Sequence, residues 1–158
     1  MKYFLGMGSN MGDRKKNLKN AVDLLIEAGI SILSASSVYE TEPVGIATDV
    51  WFYNQVIAVE TQLIPDELLC VIKRIEEKFG RDHREHLHSR SIDIDILLFE
   101  EQVVNTRTLE IPHPRMAERR FVLVPLAEIA PHVRHPVLNE KITELLDKSK
   151  DRSRVRKL

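Results

Sequence analysis

The stretch Ile92-Asp93-Ile94-Asp95-Ile96-Leu97-Leu98-Phe99 decides how the rest of the chain is read. Isoleucine and aspartate alternate residue by residue, which is the period of a strand and not of a helix. Residues two apart on a strand project to the same face, so Asp93 and Asp95 present paired carboxylates while Ile92, Ile94 and Ile96 bury behind them. Two acids side by side repel. A cation relieves that repulsion, and hard oxygen ligands with room for water and phosphate suit Mg²⁺. Pairing of both acids with arginine or lysine neighbours is the other reading of the same pattern.

The segments before this strand order themselves by period. Lys2 to Gly8 is short, apolar and bounded by glycine, which predicts a buried strand. From Asp13 onward Leu18, Ala21, Val22 and Leu25 recur at helical spacing, and Gly29 stands where that helix would stop. Ile30 to Tyr39 and Phe52 to Gln62 read as strands, with a loop over Thr41 to Gly45 between them. Pro65 opens a second helix whose Leu68, Ile72, Ile75 and Phe79 share one face, ending at Gly80. The order is β-α-β-β-α-β. It predicts an α+β chain of ferredoxin-like split βαβ type, an antiparallel four-stranded sheet with its helices on one face. C-terminal additions follow: a hairpin within Gln102 to Ile111 and a short helix from Phe121 to Ile129.

With 158 residues, 43% of them hydrophobic, the chain suits one domain, here residues 1–147. A basic tail follows at 148–158, where Lys148, Lys150, Arg152, Arg154, Arg156 and Lys157 face only Asp151. A frayed, solvated end is the expectation there, since no aromatic residues are present to stack nucleic-acid bases. The formal net charge of −1 gives no overall field to recruit nucleic acid or a membrane. No apolar run approaches the roughly 20 residues of a membrane span, and no secretory signal is legible, so a soluble, cytoplasmic protein is expected. The single cysteine, Cys70, reads as a small buried hydrophobe on the second helix.

Three further features bear on chemistry. Between the second helix and the acidic strand lies Arg81-Asp82-His83-Arg84-Glu85-His86-Leu87-His88-Ser89-Arg90, whose arginine forks suit the oxygens of a polyphosphate. Its three histidines lack the second ligand cluster of a structural zinc site. Gly6, Gly8 and Gly12 surround Ser9 and Asn10 but carry neither a P-loop nor a dinucleotide fingerprint, so a tight turn with close backbone approach is the reading. In Ile111-Pro112-His113-Pro114-Arg115, two prolines fix the path around His113, and Arg119 and Arg120 follow.

These blocks, with Tyr39-Glu40-Thr41-Glu42-Pro43-Val44-Gly45, Phe52-Tyr53-Asn54 and Phe121-Val122-Leu123, resemble in order the hydroxymethyldihydropterin pyrophosphokinases of folate biosynthesis. The resemblance runs from Leu5 to about Pro136. It implies a catalytic domain that transfers diphosphate from ATP to the hydroxymethyl group of 6-hydroxymethyl-7,8-dihydropterin, releasing AMP. It implies that Asp93 and Asp95 hold two Mg²⁺ ions. Thr41, Val44 and Asn54 would hydrogen-bond the pterin, and Phe52 and Phe121 would sandwich its ring. Glu76, Arg84, Arg90, His113 and Arg119 would bind the nucleotide, while Arg81 and Arg90 would assist transfer. The stretch from Arg81 to Ser91, with Leu87 its one aliphatic residue, is expected to be mobile alone and to order over the phosphates. His88 stands where the family usually has a small residue, and His83 where an arginine can occur. Acid-x-acid pairs also occur in nucleotidyl- and glycosyltransferases, and a non-catalytic metal- or nucleotide-binding regulatory module is a rival of another class.

Overall fold

Strand β1 (Lys2–Ser9) is the spine of the molecule, because its two edges carry the longest ladders. The computed structural model describes residues 1–80 and 91–158. Helix α1 (Arg14–Glu27) starts where Asp13 accepts a hydrogen bond from the Lys16 N–H at 3.1 Å, and ends before Gly29, whose φ of 86° side chains disfavour. Strands β2 (Ser31–Ala35) and β3 (Tyr39–Thr41) follow, then β4 (Phe52–Glu60). Helix α2 (Pro65–Lys78) leads towards β5 (Asp93–Phe99). Beyond them lie β6 (Val104–Asn105) and β7 (Glu110–Ile111), α3 (Arg120–Ile129), α4 (Ile142–Lys148) and β8 (Val155–Lys157).

The main sheet runs β5-β1-β4-β3-β8, with β2 also paired to β4, and every one of these pairings is antiparallel. β6 and β7 form the expected hairpin as a separate two-stranded sheet. The single strand expected over Ile30 to Tyr39 is two strands. Between them the Ser36 hydroxyl, almost fully buried, accepts from the Val56 N–H at 3.0 Å, so a side chain replaces a rung of the ladder.

The sheet buries both faces. On one, Tyr3, Leu5 and Met7 of β1 and Ile94 and Ile96 of β5 pack in a cluster with Leu18 and Leu25 of α1 and Ile72 and Ile75 of α2. On the other, Phe4, Val56 and Leu97 pack in a cluster with Leu123 and Leu126 of α3 and Ile142 and Leu145 of α4. Helices on one face alone were expected; the C-terminal additions supply a second layer that the β-α-β-β-α-β repeat does not contain.

Two other expectations are corrected. Cys70 is exposed, because it lies two residues from Leu68, about 200° round the helix from the buried row. The basic tail is not frayed. It adds β8 to the sheet, with Tyr39 opposite Lys157, Glu40 opposite Arg156 and Thr41 opposite Val155, and Arg156 forms an ion pair with Glu40. A strand edge and a waiting carboxylate order what its charge alone would leave in solvent. Among the described residues, no helix is long and apolar enough to cross a membrane.

Two phenols tie the layers together. Tyr3 donates to the Leu63 carbonyl at 2.7 Å, and Tyr39 donates to Glu128 Oε1 at 2.6 Å. Burial first, then nearby carboxylates, pushes both pKa values from 10.0 up to about 12. The folded state therefore holds these protons more tightly than the unfolded chain. Their contribution to stability is complete below pH 10.0 and is lost as pH rises towards about 12. Urea denaturation from about pH 9 to about pH 11 should show the midpoint falling, and falling less in Tyr39→Phe. Parallel curves for wild type and variant would refute the linkage.

Candidate active site

The floor of the site is made by the absence of side chains. In the β1–β5 ladder Gly8 lies opposite Asp93 and Gly6 opposite Asp95. In the β1–β4 ladder the same glycines face Asn54 and Val56. Directly opposed residues share a sheet face, so a bare strip of backbone separates the carboxylates of β5 from the polar and aromatic side chains of β4. A Cβ added to Gly8 would sit 2.5 Å from Asn54 Oδ1 and 3.6 Å from a ring atom of Phe52. Asn54 is itself fixed, its Nδ2 donating to Thr41 Oγ1 at 2.6 Å.

Over this floor opens a cavity of about 600 Å³. Thr41, Val44, Phe52, Asn54, Asp93, Asp95, Arg119 and Phe121, all anticipated from sequence, line it together. Asp93 is half-buried and Asp95 exposed, as a pair must be to accept ligands from the cavity side. Glu42, Arg115 and Glu118 also line it and were not singled out for a role. Arg115 had a visible signal, standing directly after the Pro-His-Pro run; the two glutamates had none beyond their neighbours.

His113 does not line the cavity but lies close enough to Asp95 for their charges to interact. Its N–H donates to the Leu97 carbonyl at 3.0 Å, anchoring the proline-flanked turn to β5. Its Nδ1 accepts from the Arg115 N–H at 3.2 Å, which leaves Nε2 to carry the proton of the neutral ring. Burial lowers the His113 pKa; Asp95 acts against burial, and Arg119 and Arg115 act with it. The ring is therefore neutral at pH 7 and offers a donor without adding a full charge. Arg119 is half-buried, its pKa lowered chiefly by burial while Asp95 and Asp93 pull it back up, and its Cζ lies 5.4 Å from the Phe121 ring centroid. It remains a cation.

Glu76 is placed differently. It is buried on α2 and does not line the cavity; its Oε2 accepts from the Ile94 N–H at 3.1 Å, between the two aspartates in sequence. Arg81, Arg84 and Arg90, the three histidines beside them and the expected loop closure lie outside the described residues. Among the described residues no group of three or more His, Cys, Asp or Glu is placed to hold a metal ion. A larger concavity of about 850 Å³ lies on another part of the surface, lined by Arg14, Glu40, Trp51 and Arg156 among others. Size does not make it the better site, because its one acid, Glu40, is already paired to both Arg14 and Arg156.

This geometry agrees with what the chain is similar to. A family model described as 7,8-dihydro-6-hydroxymethylpterin-pyrophosphokinase matches residues 4–131. A 2-amino-4-hydroxy-6-hydroxymethyldihydropteridine pyrophosphokinase of Aquifex aeolicus is 40% identical over 141 residues, covering 89% of this chain and 88% of that protein. The Bacillus subtilis protein of the same description is 44% identical over 131 residues, 82% of this chain and 78% of its own length. Among solved structures, wild-type Plasmodium falciparum HPPK-DHPS with pteroate matches with a TM-score of 0.76 at 19% identity, over 93% of this chain and 44% of that longer one. That last likeness is one of fold: a mixed α/β architecture on an antiparallel sheet. The family model spans the strand of paired aspartates, the glycine floor and the aromatic walls alike, and, with the two bacterial relatives beside it, the chain belongs to the 7,8-dihydro-6-hydroxymethylpterin-pyrophosphokinase family.

Proposed function

We propose that the chain transfers the diphosphate of ATP to the hydroxymethyl group of 6-hydroxymethyl-7,8-dihydropterin, with AMP as the second product. One observation carries the reading: paired carboxylates, an Asn-Thr hydrogen-bonding pair and two aromatic rings meet in a single cavity over a backbone floor. A flat heterocycle with a polar edge needs aromatic faces and a few fixed polar partners, and Phe52, Phe121, Asn54 and Thr41 supply them. The family to which the chain belongs favours this reading over a nucleotidyl- or glycosyltransferase. The ladder β5-β1-β4-β2 supports the split βαβ arrangement as the scaffold.

Two Mg²⁺ ions suit Asp93 and Asp95. Mg²⁺ retains waters and binds through one or two carboxylates plus substrate phosphates, which matches a carboxylate pair open to a cavity. When bound, the ions neutralise phosphate charge and polarise the phosphorus under attack. The chain's own residues do the rest. Arg119 and the Nε2–H of His113 grip phosphate oxygens, with Arg115 beside them; Arg84 and Arg90 are assigned to the same nucleotide, and Arg81 with Arg90 to assisting transfer. Glu76 acts through the β5 backbone, holding the strand that presents the acids. With both substrates oriented, the pterin hydroxyl oxygen bonds to the β-phosphorus and loses its proton to solvent, the bond from that phosphorus to the α–β bridging oxygen breaks, and AMP departs carrying that oxygen.

Mixing the protein with ATP, Mg²⁺ and the hydroxymethyl dihydropterin should yield AMP and the pterin diphosphate. ADP and a pterin monophosphate, or no product, would sink the reading. Asp93→Ala and Asp95→Ala should each lower kcat/KM by at least about a hundredfold, since such ions supply several kcal/mol of charge stabilisation. The melting temperature should stay within a few degrees, because neither side chain belongs to the buried apolar core. Near-normal turnover in either variant would overturn the metal assignment. Phe121→Ala should weaken the pterin by at least about tenfold in calorimetric titration while leaving ATP affinity nearly intact. Equal losses for both ligands would instead mean that the first turn of α3 has collapsed.

A further inference from the structure

Helix α3 begins without a cap of its own. Its N-cap residue, Arg119, makes no side-chain capping hydrogen bond, so the first N–H groups of the helix must find acceptors elsewhere. One acceptor comes from far along the chain: Asp151 Oδ2 takes the Arg120 N–H at 2.9 Å. The other oxygen of that carboxylate, Oδ1, accepts from the Ser153 N–H at 2.9 Å and the Ser153 hydroxyl at 2.6 Å. Asp151 is thereby held in place from its own segment while it holds the helix.

The capped N–H has a particular address. Arg120 separates Arg119 from Phe121, one residue assigned to the nucleotide and the other to the pterin. A few residues after Asp151 the chain enters β8, where Val155 pairs with Thr41 and the Arg154 carbonyl accepts from the Glu42 N–H at 3.0 Å. The short run from Asp151 to Val155 therefore joins the two opposing walls of the cavity, the α3 start and the end of β3.

We propose that Asp151 is a positioning residue for the transfer reaction, fixing the first turn of α3 so that Arg119 and Phe121 stand correctly over the cavity. The inference rests on the function proposed above. The local electrostatics support it. Burial would raise the Asp151 pKa, but hydrogen bonds from Ser153 and Arg120 outweigh it and hold the carboxyl below the usual range. An anion at a helix N-terminus is stabilising in its own right.

The test compares Asp151→Ala, Asp151→Asn and, as a control, Arg152→Ala, an exposed residue of the same segment. Steady-state kinetics should show KM for ATP and for the dihydropterin each rising about tenfold in Asp151→Ala, the scale expected on losing a cap. The kcat should stay within about twofold, because the aspartate pair is untouched. Asp151→Asn keeps an oxygen acceptor and should raise both KM values only about threefold. Arg152→Ala should change neither. A drop in melting temperature with both KM values unchanged would make the contact merely structural and overturn the proposal, as would equal KM rises in Arg152→Ala. If the alanine variant does not fold, unchanged KM values in Asp151→Asn overturn it. Hydrogen exchange on the ligand-free proteins separates this inference from the functional one: Arg120 should lose protection in Asp151→Ala. Unchanged protection there sinks the cap whatever the wild type catalyses, whereas an inactive wild type with lost protection sinks only the reaction.

Discussion

Two carboxylates on one face of a strand repel each other, and the packing behind that strand holds them side by side all the same. Asp93 and Asp95 cannot turn away from each other, because Ile94 and Ile96 lock the strand into a hydrophobic cluster on the reverse face. Glu76 fixes the same strand at the Ile94 N–H. Opposite the acids, β1 presents glycines and offers no cation to quench them. Arg119, half-buried on another layer, interacts with both carboxylates. Stability of the fold thus holds in place a pair of like charges that would otherwise move apart.

The opposite wall depends on long-range ties of a different kind. Helix α3 is anchored near its end by Glu128, which accepts from the Tyr39 hydroxyl and from the N–H and hydroxyl of Ser37, and at its start by Asp151. Both anchors link it to the β3 side of the sheet, directly or through β8. The helix itself contributes apolar burial through Leu123 and Leu126, which sets its distance from the sheet but not its exact rotation. Directional hydrogen bonds at each end supply that second constraint.

Much of this was legible because it is periodic. Alternation placed Asp93 and Asp95 on one face, helical spacing found Leu18, Leu25, Ile72 and Ile75, and Asp13 and Pro65 marked helix starts where they stand. What escaped depends on partners remote in sequence. Val155–Lys157 has no strand signal by itself and becomes a strand only because β3 leaves an edge open and Glu40 waits for Arg156. The break at Ser36 needs the Val56 N–H to be seen. Cys70 misled because its neighbours are apolar, although the helical period puts it on the outer side. Among site residues, Arg115 and Glu42 lay inside blocks already quoted, while Glu118 enters the cavity on a short turn, which no spacing rule encodes.

The bare floor has a consequence for inhibition. A competitive ligand lying across Gly6 and Gly8 touches peptide backbone, whose atoms no single substitution removes. Adding a side chain at Gly8 to expel such a ligand would strike Asn54, and with it the hydrogen bond to Thr41. Resistance must therefore arise in the walls, at Val44 or the residues around Phe121. A compound that draws most of its affinity from the floor leaves the protein few routes of escape that do not also cost it the reaction.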